Sequence, residues 1–129
     1  MCGLFSRNKD PQKKENVKKI KELRKLVKEK KYDQALRIGD EYLKKVPHNH
    51  DVLFILGGIY YMKNKYKSAI SYFDRALEIG EYDTDVLILK ANSHYHLGEN
   101  KKAISCCDKI KEIDPKNKAV AELLQKINP

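Results

Sequence analysis

Four histidines, three cysteines and a dense run of lysines are the residues of this 129-residue chain with chemistry to offer. His94 and His96 are two positions apart. On a helix that spacing turns the side chains about 200° from each other, so they do not chelate one ion. His48, His50 and Asp51 lie close enough in a connecting segment to converge, yet Zn²⁺ takes three or four ligands and no second pair is spaced to complete the set. Cys106 and Cys107 are vicinal, and adjacent half-cystines close only by distorting the backbone. Cys107 reads instead as a small buried hydrophobe. No Ser-His-Asp or Cys-His arrangement is visible, no G-x-x-x-x-G-K-[ST] is present, and no G-x-G-x-x-G follows a strand. The chain is read as non-enzymatic, with no metal and no cofactor.

The lysines are unevenly placed. Residues 1–31 hold 12 Lys+Arg against 4 Asp+Glu, a net of +8, while residues 32–129 hold 15 against 14, a net of +1. The basic segment from Arg7 to Lys31 could draw RNA or an anionic surface through counterion release. It lacks the aromatics that stack bases, and Lys rather than bidentate Arg dominates it. Nucleic acid is therefore not the favoured partner, and a solvated Lys-rich helix is the simpler reading. The start Met1-Cys2-Gly3-Leu4-Phe5 has no apolar secretory core, and Cys2 replaces the glycine that myristoylation needs. No apolar run approaches the roughly 20 residues of a membrane span. Three cysteines are too few for a disulfide scaffold, which points to a reducing, cytoplasmic location.

Positioning these side chains falls to a repeat. Tyr32-Asp33-Gln34-Ala35-Leu36, Tyr66-Lys67-Ser68-Ala69-Ile70 and Asn100-Lys101-Lys102-Ala103-Ile104 align without gaps at a period of 34 residues. Leu56-Gly57 and Tyr60 fall on Lys90-Ala91 and His94, and Pro47 and Pro115 stand two periods apart. Apolar residues within each unit recur at i, i+3, i+4, the spacing of one helix face. Asn64 and Gly98 suit left-handed turns between paired helices. Asp51, Asp83 or Thr84 can cap first helices, and Pro47 and Pro115 end second helices. The pattern predicts helices near 16–29, 33–45, 51–63, 67–80, 85–97, 101–113 and 118–128. In the second helices, Gly39 and Tyr42 stand where the middle unit has Phe73 and Ala76. This predicts that Tyr42 supplies the bulk missing at Gly39.

The middle unit, with Leu53, Leu56, Gly57, Tyr60, Ala69, Phe73 and Ala76, resembles the tetratricopeptide repeat. The resemblance covers residues 16–117. It implies an all-α, right-handed α-solenoid of three 34-residue helix-turn-helix repeats, at 16–49, 50–83 and 84–117. A basic, flexible N-terminal arm at 1–15 precedes them and a capping helix at 118–129 follows. Lys90, His94 and Cys107 depart from the usual Leu, Tyr and aromatic, and Glu81 from the usual Pro. The resemblance also implies an adaptor or scaffold that binds partner proteins on a concave, helix-lined surface. Arrays of this kind that grip the C-terminal carboxylate of heat-shock chaperones use Lys, Asn and Arg at positions occupied here by Ile20, Arg24, Ile55, Asp85 and Leu89. That mode is not expected.

Helical geometry places the concave surface opposite the packed side. It gives Phe54, Gly58, Tyr61 and Met62 in the middle unit, Ile88, Asn92 and Tyr95 in the third, and Arg24 and Lys28 in the first. These nine residues are the candidate partner-binding site. The expected ligand is an amphipathic helix or extended peptide, apolar in the middle and acidic toward Arg24 and Lys28. Two rivals stand beside it. The chain's own N-terminus, anchored by Leu4 and Phe5, or a second copy could fill the groove. Alternatively, the apolar stripe could be ordinary packing between helices.

Overall fold

A computed structural model describes residues 10–129; Cys2, Leu4 and Phe5 lie outside the described residues. The described residues form seven helices and no strand: α1 (Pro11–Lys28), α2 (Tyr32–Lys45), α3 (His50–Met62), α4 (Tyr66–Ile79), α5 (Thr84–His96), α6 (Asn100–Ile113) and α7 (Lys118–Ile127). Each packs on the next, and the odd-numbered helices also pack on one another in order, giving an α-solenoid with α1, α3, α5 and α7 in a shared layer.

Two kinds of turn repeat every 34 residues and set this geometry. Helices α1, α3 and α5 end in a residue with positive φ: Lys30 at 59°, Asn64 at 62° and Gly98 at 77°. The amide after each reaches back five residues, Lys31 to Leu26, Lys65 to Tyr60 and Glu99 to His94, at 2.8–2.9 Å. This is the Schellman closure, which satisfies carbonyls a helix end leaves open. Even helices instead lead into an Asn or Asp. Asn49, Asp83 and Asn117 each accept the amide three residues on with the side chain. Asp51 is thus not a cap, since Asn49 stands at the helix boundary and leaves Asp51 in the first turn.

The equivalent of those caps in the first unit is Glu15, a poor N-cap residue, so no helix starts there. Asp10 caps Gln12 with Pro11 at the first helical position, which suits proline. Helix α1 consequently begins at 11 rather than 16, and residues 11–15, read as arm, are helical.

The core runs along the stack in two connected clusters. One spans α1 to α5 around Leu23, Leu53, Leu56 and Phe73; the other joins α5, α6 and α7 through Leu87, Cys107, Ile110 and Leu123. The space at Gly39 is filled differently from expectation. A Cβ there would stand 2.5 Å from Leu56 Cδ2, so Leu56 of the next unit occupies it. Tyr42 is buried, but its ring lies back toward α1, where its hydroxyl donates to Asn16 and receives Gln12 Nε2 at 3.2 Å. Gly57 admits the Phe73 ring in the same way, at 2.5 Å.

Candidate functional site

The inner layer opens a groove of about 410 Å³ between α1, α3 and α5. Helix α3 supplies most of its wall because it is apolar on nearly every side, as befits a helix with neighbours on three flanks. Phe54, Ile55, Ile59 and Met62 form the lining from α3, Val27 and Arg24 close it from α1, and Leu89 from α5. Gly58 sits among them with nothing within 4 Å of where a Cβ would stand. The missing side chain is therefore part of the opening.

The walls are held from behind. The Phe54 ring lies 6.3 Å from that of Phe73, centroid to centroid. Tyr61 meets Tyr66 edge-on at 5.6 Å, and burial pushes its phenol pKa up. Tyr66 stacks on His96 at 4.6 Å, with Tyr95 packed edge-on against the same imidazole at 5.6 Å. Met62 is 57% exposed, so the rim is adaptable while the wall is fixed.

Of the nine candidate residues, the fold brings Arg24, Phe54, Gly58, Tyr61 and Met62 around this groove. Lys28 is exposed on α1 outside it. Ile88 and Tyr95 pack against the α5–α7 cluster, and Asn92 lies half-buried on α5, outside the groove lining. Val27, Ile55, Ile59 and Leu89 were not among the nine. Ile55 was legible: at about 100° per residue it points closer to the direction opposite the packed side than Phe54 does. Leu89, one period on, follows from it.

The residues considered for other chemistry are placed differently. Cys107 is fully buried at the position matching Phe73, and burial pushes its thiol pKa up, as it does that of Cys106. His50 binds across the stack, its Nε2 3.0 Å from Asp83 and its Nδ1 3.6 Å from Asp51. Buried His94 shares a hydrogen bond of 2.9 Å with Glu99, which holds the Glu99 carboxyl below the usual carboxylate range. Among the described residues, no three His, Cys, Asp or Glu side chains are grouped to hold a metal ion, and no helix is long and apolar enough to cross a membrane.

Paired helices at a 34-residue period, Leu-Gly packing in the middle unit and an open inner layer define a tetratricopeptide-repeat protein. The chain belongs to the family described as anaphase-promoting complex, cyclosome, subunit 3, whose model matches residues 28–125. It is similar in fold to the first tetratricopeptide-repeat domain of Spaghetti (RPAP3), solved bound to the HSP90 peptide SRMEEVD, with a TM-score of 0.82 at 21% identity over 92% of each chain. The first such domain of human RPAP3 matches with a TM-score of 0.77 at 20% identity, covering 87% of this chain and 88% of that one. The Arabidopsis OM64 domain gives 0.80 at 13% identity, covering 89% and 95%. No curated protein matches the chain significantly.

Proposed function

We propose that this protein is an interaction adaptor that holds an apolar helix or extended segment of a partner protein in the groove between α1, α3 and α5. The observation that carries this reading is Gly58: the fold keeps an unfilled helix position open inside an apolar, aromatic-walled groove of about 410 Å³. A groove of this size and lining suits a few anchor side chains of a docked segment. Exposed Arg24 at its edge favours an acidic residue on the ligand next to the apolar anchors.

The structurally similar Spaghetti domain was solved with a chaperone-derived peptide, which supports peptide capture as the use of this shape. The chemistry of capture differs in our reading. Ile55 and Leu89 line the groove where carboxylate-gripping arrays place polar or basic residues, and exposed Asp85 repels a carboxylate. The ligand is thus held by apolar burial with one charge contact rather than by its terminus.

Gly58→Leu tests this directly. The new side chain starts from a Cβ with nothing within 4 Å and extends into the groove, and leucine is the better helix former by about 0.8 kcal/mol. A peptide library panned against the native protein should enrich apolar segments with an acidic flank. Gly58→Leu should lower their affinity at least tenfold while the melting temperature stays level or rises. Enrichment of C-terminal carboxylate motifs, or binding indifferent to the substitution, would sink the reading.

A further inference from the structure

Helix α1 carries a second surface that meets the groove only at Arg24. Lys14, Lys18, Lys21, Lys25 and Lys28 recur at intervals of four, three, four and three residues, which keeps them on one face of a helix. All five are exposed, and none enters an ion pair among the described residues. At about 100° per residue they occupy an arc of roughly 80°, and Arg24 widens it to about 120°. Both acids of the helix fall outside that arc: Glu22 turns aside to pair with Lys19 at 3.2 Å, and Glu15 lies on the same flank. At about 1.5 Å per residue the lysine row runs about 21 Å in a straight line. The opposite face is locked into the core by fully buried Leu23 and by Leu26, so the row is rigid and cannot roll over.

From this arrangement we infer that the lysine face of α1 docks the protein on an anionic lipid surface. A flat row of point charges matches a plane of negative headgroups, where each lysine near the surface contributes independently of any fixed geometry. Sequence-specific duplex recognition would reward side chains that read base edges or fork onto phosphates, and single strands would reward stacking aromatics. The face offers neither, since its cations are lysines with a single arginine at the margin. Val17, 61% exposed between the lysine row and Arg24, gives the face one apolar contact of its own. With its apolar side committed to the core, α1 lies on the headgroups and does not insert. The groove opens on the flank of α1 that carries Val27, so a surface-bound protein keeps it accessible.

The test is flotation of the full chain with vesicles of phosphatidylcholine alone, and of phosphatidylcholine with about 30% phosphatidylserine. Binding should be confined to the anionic vesicles and fall steeply between about 50 and 300 mM salt, as screening shortens the reach of the charges. The triple variant Lys18→Glu, Lys21→Glu, Lys25→Glu should lose at least a hundredfold in partitioning, given about fivefold for each lysine merely neutralised. The Gln triple variant at the same positions keeps helix propensity and charge-free packing, and should lose roughly a hundredfold. Both variants should retain the native circular dichroism, and the Gln variant should retain the groove's peptide affinity, which separates this surface from the groove. Equal binding to neutral vesicles, undiminished binding by the Gln variant, or tighter binding to duplex RNA than to the anionic vesicles overturns the inference.

Discussion

Gly39 and Leu56 touch across a unit boundary where a Cβ would have 2.5 Å, far inside van der Waals contact. Leu56 is fully buried and would have to shift to admit the methyl, so Gly39→Ala should cost about 1–3 kcal/mol by overpacking, despite alanine's better helix propensity. Chemical denaturation measures the loss; a stabilised variant would show that Leu56 has room to rotate. Tyr42, 4% exposed, is the complementary case. It fills space toward α1 and ties α2 to Asn16, so Tyr42→Ala should cost about 3–5 kcal/mol. Polar residues that cross unit boundaries work in the same direction. Tyr72 donates to Asp40 at 2.6 Å and stacks on Tyr60 at 5.4 Å, and burial with this bond drives its phenol pKa well above the usual range. Lys63 meets Asp33 at 2.8 Å and holds that carboxyl below its usual range.

The three Schellman turns are the element-scale joints of the fold, and their occupants differ in conformational cost. Gly98 adopts a φ of 77° freely and Asn64 tolerates 62°, but Lys30 holds 59° with a full side chain. Lys30 is exposed and its side chain forms no ion pair among the described residues. Lys30→Gly should therefore stabilise the protein by about 0.5–1 kcal/mol, and Gly98→Ala should destabilise it by a similar amount. Thermal melts of the pair check the sign. A destabilised Lys30→Gly variant would mean that the lysine contributes more than its backbone strain costs.

At the scale of the molecule, each unit leaves an apolar face that the following helix covers, and α7 covers that of the third unit. Helix α7 does so with Val120 and Leu123, which complete the cluster of Leu87, Cys107 and Ile110. Its cap, Asn117, continues the series of Asn49 and Asp83, so α7 begins with the same turn chemistry as α3 and α5. Removing residues 118–129 should expose that cluster. Because stability in such arrays is passed between neighbours, the C-terminal helices should lose hydrogen-exchange protection before α1 to α4 do. Uniform loss along the chain would mean that the two clusters fold as one unit.

The number of helices, their pairing and their order were legible in sequence, because a 34-residue period repeats the same local turn chemistry and the same apolar spacing. Lys30 as a left-handed residue follows from that period, though not from its residue type. Local signals also misled at two helix starts: Asn49 caps α3 in place of Asp51, and α1 reaches back to Pro11 behind its cap Asp10. The groove was half legible. Opposition to the packed side located Phe54, Gly58, Tyr61 and Met62 on α3, but a single helix cannot say how far its neighbours approach. Ile88 and Tyr95 hold the positions of Phe54 and Tyr61 one period on, yet they pack against an apolar cluster that α5, α6 and α7 build together. Leu56 entering the Gly39 gap and Tyr42 turning back to Asn16 were likewise decided in three dimensions. Local chemistry repeats with the chain; which neighbour fills a space depends on the distance between helices, and only packing sets that distance.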